Sequence, residues 1–305
     1  MKVYDCFTFY NEFELLELRL RALWDVVDVF VIAEADKTHT NKPKPYYFWE
    51  RQDDFREFFP KIRHLPVEMT VPYAGVGDWS IENAQRDAIA YGLDDAEADD
   101  LIMISDVDEI PNPDVLRHLN DFELMTQETV MTLRNLNDPE KQITCPIKML
   151  VPAGDFLEIG SIRLNQKMHY YYFDWASETP WRGTSLIKRK NLTTPQDLRT
   201  SENTLVCDDG GHHFSYMGGV DRVINKMTSI VDGNEFVVDS GGKLIDRTHV
   251  EKSMAQGFDV YNREDAPEAQ LLPYDARKIK LPHVDEFLRK YPHFLREPEK
   301  YFGGA

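Results

Sequence analysis

The stretch with the most chemical potential is Leu101-Ile102-Met103-Ile104-Ser105-Asp106-Val107-Asp108-Glu109-Ile110-Pro111. Four apolar residues read as a buried strand. Two carboxylates then appear one residue apart, a third follows at once, and Pro111 cannot donate to further strand pairing. Acids at the carboxyl end of a buried strand lie where open α/β sheets bind ligands. Paired carboxylates suit a hard divalent cation, and such a cation suits a phosphate-bearing substrate. Alone, the run is equally an acidic turn. A phosphatase of the haloacid dehalogenase type also carries paired aspartates, but after its first strand, whereas here they follow the fourth. Neither a Walker A glycine loop nor a GxGxxG after the first strand is present, which removes the P-loop and the usual dinucleotide binders.

Further residues can join this chemistry. His212 and His213 follow Gly210-Gly211. An imidazole can complete a metal site begun by carboxylates, and the glycines allow close backbone approach to a ligand. Otherwise these are hydrogen-bonded histidines of a strand. Glu34 and Thr38 follow the second strand at the same sheet edge as Asp106, a place suited to a base or ribose, or to plain capping. Glu82 and Arg86 stand four residues apart, which on its own reads as a surface ion pair worth a few tenths of a kcal/mol. Lys226 and Arg163 are cations able to neutralise a leaving phosphate. Tyr170, Tyr171, Tyr172, Phe173, Trp175 and Trp181 suit either core packing or stacking on sugar rings.

The elements that must position these groups can be read from periodicity. Lys2 to Phe9 and Val26 to Ala35 read as strands. Between them, Phe13, Leu16, Leu20 and Leu23 mark an amphipathic helix from Glu12 to Trp24. Tyr47 to Phe59 reads as helical, Lys61 to Pro66 as a third strand, Asp78 to Leu93 as a helix, and Leu101 to Ser105 as the fourth strand. Asp94 to Asp100 reads as a solvated acidic connector. The alternation β-α-β-α-β-α-β predicts a parallel, Rossmann-like sheet. Shorter, β-rich elements follow at Val130–Asn135, Ile143–Val151, Phe156–Ile162, His169–Phe173, Ser185–Lys188, Thr204–Cys207 and His212–Tyr216. A helix is expected from Gly218 to Val231, with short ones near Val250 and from Val284 to Tyr291.

Composition narrows the partners. The 305 residues carry a formal charge of −18, from 53 acidic and 35 basic side chains. That disfavours nucleic acid and anionic membranes, so a phosphate ligand needs local cations or a metal. Cys6, Cys145 and Cys207 are widely spaced and form no CxxC, which reads as reduced thiols. With neither a signal-peptide pattern nor an apolar run near the roughly 20 residues of a membrane span, a cytoplasmic location is expected.

Several blocks together resemble glycosyltransferase family 17. They are Asn11-Glu12-Phe13-Glu14-Leu15-Leu16; Asp25 to Val31 leading to Glu34 and Thr38; Asp78-Trp79 with Glu82 and Arg86; Asp106-Val107-Asp108-Glu109-Ile110-Pro111; Ile162-Arg163-Leu164; and Gly211-His212-His213-Phe214-Ser215 with Lys226. The family usually has Trp before the late histidine, where this chain has His212, so His213 aligns as the candidate ligand.

The resemblance implies an α/β fold of GT-A type: a mostly parallel central sheet, helices on both faces, and a β-rich C-terminal acceptor half. It divides the chain into a glycosyltransferase domain over 1–232 and an extension over 233–305. Within that domain, 1–111 would be the nucleotide-binding half and 112–232 the acceptor and metal half. It implies an inverting transfer of a sugar, GlcNAc above all, from a UDP-sugar to a glycan or other hydroxyl acceptor. Mn²⁺ or Mg²⁺ would sit on Asp106, Asp108 and His213. Glu34, Thr38, Glu82, Arg86, Asp106, Arg163 and Lys226 would hold the donor, and Glu109 would brace the turn. Glu158, Asp174, Glu178 and Asp209 are open as general bases, and Glu178 is expected to be catalytic beside Asp106 and Asp108. The competing expectations are an inactive sugar-binding protein of the same fold and a sugar nucleotidyltransferase. The latter lacks its glycine-rich basic loop, since Thr8 to Glu14 has neither glycine nor base.

Overall fold

The first strand alternates two buried faces, and both are filled. In the computed structural model, β1 (Val3–Phe9), β2 (Val29–Ala35), β3 (Ile62–Val67) and β4 (Leu101–Asp106) pair in parallel in the spatial order β3-β2-β1-β4. Phe7, Phe9, Phe30, Ile32 and Met103 pack one face against Leu16, Leu20 and Leu23 of α1 (Phe13–Leu23). The same layer takes Phe48 of α2 (Tyr47–Arg51) and Phe55 and Phe58 of the 3-10 turn after it. The opposite face sets Cys6, Val31, Ala33 and Ile104 against Ile89 and Leu93, which follow α3 (Ser80–Asp87). A parallel sheet covered on both sides needs such unbroken apolar runs. The residues described are 1–121, 123–125, 129–135, 138–147, 150–201, 204–231, 242–263 and 269–303, with backbone only at 120 and within 123–150.

Beyond β4 the sheet turns mixed. After β5 (Glu109–Pro111) and α4 (Pro113–Arg117) come β6 (Glu123–Met125), β7 (Thr129–Asn135), β8 (Asp138–Ile147) and β9 (Leu150–Pro152), which form two separate two-stranded sheets. α5 (Ala153–Phe156) leads to β10 (Ser161–Tyr170), β11 (Trp175–Ala176) and β12 (Trp181–Lys188). β12 runs antiparallel between β4 and β10. After α6 (Pro195–Thr200), β13 (Thr204–Cys207) and β14 (Gly211–Ser215) pair in parallel with successive halves of β10.

Two expected strands are corrected. Phe156–Ile162 is a helix end and a turn before β10 starts at Ser161, and His169–Phe173 is the end of that one ten-residue strand. It stops where Tyr171 adopts φ 69°, a left-handed conformation that strand pairing excludes. The acidic connector also carries structure. Asp100 is buried and accepts from the Lys2 amide at 2.6 Å, and Asp95 pairs with Arg63 at 2.7 Å.

The C-terminal part holds α7 (Val220–Met227), α8 (Arg247–Gln256), β15 (Leu272–Pro273), α9 (Val284–Lys290) and α10 (Pro298–Phe302). Ile279, Leu281, Phe287, Leu288 and Phe294 pack on Leu15, Leu18 and Ala22, the side of α1 turned from the sheet, and on Phe173 and Phe214. No helix among the described residues is long and apolar enough to cross a membrane.

One buried polar pair in this layer gives the fold a pH dependence. His169 lies fully buried with Nδ1 2.9 Å from the Phe173 carbonyl and Nε2 2.9 Å from His212 Nδ1. The carbonyl only accepts, so His169 Nδ1 carries the proton and Nε2 must accept from His212. A second proton on His169 would reverse that bond and force His212 into its other tautomer. Burial first, and His212 next, hold its pKa well below the ordinary value. The unfolded chain protonates near pH ~6.5 and the native chain only far below. The unfolded state therefore binds more protons in that window, and stability falls as pH drops below ~6.5. Urea unfolding of wild type and His169→Gln between neutral pH and about pH 4.5 checks this, with a flatter fall expected for the variant.

Candidate active site

β4 delivers its carboxylates to the place where the parallel strands end. The turn Asp106 to Glu109 is clamped from beneath by Arg19, a fully buried side chain on α1. Its guanidinium donates to the carbonyls of Asp106 at 2.9 Å, Val107 at 3.2 Å and Glu109 at 2.8 Å. It also donates to Ser105 Oγ at 2.6 Å and makes a bidentate pair with buried Asp5 at 2.6 and 2.8 Å. β5 then pairs antiparallel with β14, setting Glu109 opposite His213 and Pro111 opposite Gly211. Gly211 has φ +136°, and a Cβ there would meet the Ile110 carbonyl oxygen at 2.3 Å, so this crossing requires glycine.

A cavity of about 910 Å³ opens over these strand ends. Seven lysine or arginine side chains line it: Lys37, Lys44, Arg86, Arg163, Arg182, Arg199 and Lys226. Five carboxylates face them: Glu12, Glu82, Asp106, Asp108 and Glu109. A chain of net charge −18 thus concentrates cations around one concave site. A void of this size suits a nucleotide-sized ligand.

Inside, the charges form two groups. Asp106 accepts from Thr8 Oγ1 at 2.9 Å, Arg86 at 3.0 Å and Arg199 at 3.3 Å. Burial alone would raise its pKa, but Arg86 and then Arg199 hold it far below the usual carboxylate range. Arg86 also donates to Glu82 at 2.8 Å and Gln196 at 2.6 Å, so it is a buried node rather than a surface partner. Arg199 binds both oxygens of fully buried Glu109, at 2.6 and 2.9 Å, and Trp181 Nε1 donates to the same carboxylate at 2.6 Å. Glu109 is the brace of the turn.

The second group is Asp108, Lys226 and His213. Lys226 Nζ lies 2.7 Å from Asp108 Oδ2, and His213 Nε2 lies 3.6 Å from Oδ1. Burial pushes the Asp108 pKa up, but Lys226 and His213 overcome it and hold the carboxylate ionised. The Lys226 pKa, which burial would lower, is raised by Asp108. His213 Nδ1 is buried with no hydrogen-bond partner among the described residues.

The other expected site residues divide. Thr38, Glu82 and Arg163 line the cavity. Thr38 bonds Thr40 at 2.9 Å, and Glu82 pairs with Arg86 and lies 3.3 Å from His39 Nδ1. Arg163 is spent on the carbonyls of Leu198 and Arg199, at 3.0 and 2.7 Å, which ties β10 to α6. Glu34 is fully buried away from the cavity lining, held by His64 at 2.9 Å, Lys44 at 3.4 Å and the Phe48 amide. Its place at a strand end is as expected, but its carboxylate faces a buried lysine and histidine.

None of the four base candidates lines the cavity. Glu158 pairs with Lys188 and Lys190, Asp174 accepts from the amides of Arg296 and Glu297, and Glu178 and Asp209 are exposed elsewhere. Of the aromatic run, Trp181 faces the cavity, whereas Tyr170, Tyr171, Phe173 and Trp175 are buried in the core. Arg19, Arg199, Thr8 and His39 were not singled out in the sequence, and Glu12 stood there only within the block Asn11 to Leu16 that resembles the family. Arg19 left a signal of its own, as a charge among Leu15, Leu16, Leu18 and Leu20.

Asp106, Asp108 and His213 do not converge as a trio, because Asp106 is turned to its arginines. Among the described residues, no group of three His, Cys, Asp or Glu side chains is arranged to hold a metal ion. Asp108 and His213 do stand together, offering a carboxylate and an imidazole, a donor set that Mn²⁺ accepts. Asp108 and His213 are the two side chains here that could hold such a cation.

Residues 1–137 match the model of glycosyltransferase family 17. The chain is 27% identical over 139 residues to the beta-1,4-mannosyl-glycoprotein 4-beta-N-acetylglucosaminyltransferase of Rattus norvegicus, covering 44% of this chain and 26% of that protein. With the Homo sapiens protein of the same name it is 28% identical over 130 residues, covering 41% and 24% respectively. The chain thus spans about a quarter of the length of the curated relatives it matches. The family match contains β1 to β5 with Asp106 and Asp108, while Arg199, His213 and Lys226 lie beyond it.

Proposed function

We propose, from the match of residues 1–137 to glycosyltransferase family 17, that this protein moves N-acetylglucosamine from UDP-N-acetylglucosamine to a sugar hydroxyl, on a GT-A fold and with inversion at the anomeric carbon. The observation that carries the reading is the cationic cavity over the ends of β1 and β4, in an otherwise anionic chain. A diphosphate is the common dianionic ligand of such a site, and Arg86, Arg199 and Lys226 are the cations that would meet it. Thr8, Tyr10 and Thr38 lie at the strand ends, where a nucleoside fits an α/β sheet. Trp79 and Trp181 line the same cavity and offer faces for sugar rings.

A divalent cation, Mn²⁺ first, would be held by Asp108 and His213 and would offset charge growing on the departing diphosphate. Lys226 does part of the same work from the protein side. Freed from Asp108, its ammonium can follow the leaving group, and Asp106 keeps Arg86 and Arg199 aligned around the cavity. Transfer then depends on the chain orienting donor and acceptor for an in-line displacement.

The test is a panel of UDP-, GDP- and CMP-sugars with the full chain and Mn²⁺, read by thermal shift and by nucleotide release. UDP-N-acetylglucosamine should raise the melting temperature most and give UDP. A shift with a GDP- or CMP-sugar and none with any UDP-sugar would overturn the donor.

A further inference from the structure

A transferase of this kind needs a carboxylate that can accept the acceptor's proton, and four of the five on the cavity wall are already engaged. Glu82 is held by Arg86 and His39, Asp106 by Arg86 and Arg199, Asp108 by Lys226, and Glu109 by Arg199 and Trp181. A carboxylate paired with cations has little proton affinity. Glu12 is the exception. Half-buried just before α1, it makes no ion pair among the described residues. One oxygen, Oε2, accepts from the Asn11 amide at 3.0 Å. Its side chain does not cap the helix it precedes. It lines the large cavity and also a small adjoining one that it shares with Asp108 and Lys226.

We propose that Glu12 is the general base of the transfer, an assignment that rests on the glycosyltransferase reading above. The acceptor hydroxyl gives its proton to a Glu12 carboxylate oxygen as the hydroxyl oxygen forms its bond to C1 of the donor sugar. The bond from C1 to the β-phosphate oxygen breaks with its electron pair going to that oxygen, so UDP leaves as the anion. Glu12 then passes the proton to solvent. The role needs the features Glu12 combines: an open oxygen, a place on the cavity wall, and no cation within ion-pair distance among the described residues, Lys226 and Lys44 acting on it only at longer range.

Glu12→Gln keeps the shape and an oxygen for the Asn11 amide while removing the basic lone pair. The full chain is assayed with Mn²⁺ and UDP-N-acetylglucosamine, using methyl β-D-mannoside as acceptor, and without it, when water is the acceptor. In the variant kcat should fall by ~10²–10⁴-fold in both assays. The donor KM and the affinity for UDP by calorimetry should stay within about twofold, the pattern of a group acting only in the transition state. Glu12→Asp, with a shorter reach, should fall between the two, and retained UDP binding shows that each variant is folded. If wild type turns over and Glu12→Gln follows within about threefold, the base assignment is overturned while the transferase reading stands. Loss of UDP binding together with rate makes Glu12 a donor ligand and also overturns it. If wild type neither transfers nor hydrolyses the donor, the transferase reading falls and the base assignment falls with it.

Discussion

Asp108→Asn should lower sugar transfer on the order of 10³-fold while leaving the protein folded. The carboxylate holds Lys226 at 2.7 Å and lies 3.6 Å from His213, with which, on the proposed function, it would hold a divalent cation. Losing a cation's stabilisation of the departing diphosphate costs several kcal/mol, and each decade in rate is about 1.4 kcal/mol. The fold survives because a quarter of the Lys226 side chain is exposed, so its ammonium can turn to water instead of staying buried and unpaired. Asparagine keeps the side-chain volume, which separates charge from packing. Transfer rates of wild type and variant, with Mn²⁺ and after treatment with EDTA, make the measurement. Undiminished transfer in the variant would remove Asp108 from the reaction. Undiminished transfer in EDTA would remove the cation and leave Lys226, Arg86 and Arg199 as the electrophilic groups.

The largest effect on stability is expected at Arg19. Arg19→Met leaves Asp5 ionised in a fully buried place, and breaking such a pair costs about 3–5 kcal/mol. Arg19 and Asp5 are both wholly inaccessible, and the guanidinium also stacks 4.4 Å over the Phe7 ring. Adding Asp5→Val removes the orphaned charge, and the double variant should regain much of the lost stability in urea unfolding. It should not regain activity. The carbonyls of Asp106, Val107 and Glu109 still lack the donor that draws them together, so Asp106 and Asp108 leave their mutual geometry. Recovery of both stability and transfer in the double variant would make Arg19 a structural residue only. Recovery of neither would mean that the turn carbonyls, rather than Asp5, carry most of its worth.

The four parallel strands were legible because a strand buried on both faces must be largely apolar, and Val29–Ala33 and Leu101–Ile104 are apolar throughout. The helix over α1 was legible from Phe13, Leu16, Leu20 and Leu23 at helical spacing. Less survives after Pro111. Ser161–Tyr170 is one strand that pairs on both sides, and its residues alternate only loosely between buried and half-buried, so periodicity broke it into pieces. In the site, Asp106, Asp108, Arg86, His213 and Lys226 were found and do share one cavity. Glu34 was singled out for its place near a strand end, but its carboxylate is buried on Lys44 and His64, off the cavity lining. The base candidates were sought in the C-terminal half by expectation, whereas the cavity-lining carboxylate outside every ion pair among the described residues is Glu12, beside the first strand. Nothing in a linear sequence tells which acids will be neutralised, because that depends on cations brought to them from elsewhere in the chain: Arg86 from 20 positions away, Arg199 from 93 and Lys226 from 118.

What the sequence by itself determined is the run of acids at the end of a buried strand and the parallel sheet that carries it. Backbone pairing and burial are written locally, in apolar period and in the proline that ends the run. Tertiary structure decided how the acids are shared out. Arg86 from α3 and Arg199 from α6 take Asp106, Lys226 from α7 takes Asp108, and Arg19 from α1 takes the backbone between them. The physical reason is that a charge buried away from water is costly unless it is paired. The partners come from four different helices, and only folding brings them within hydrogen-bonding distance.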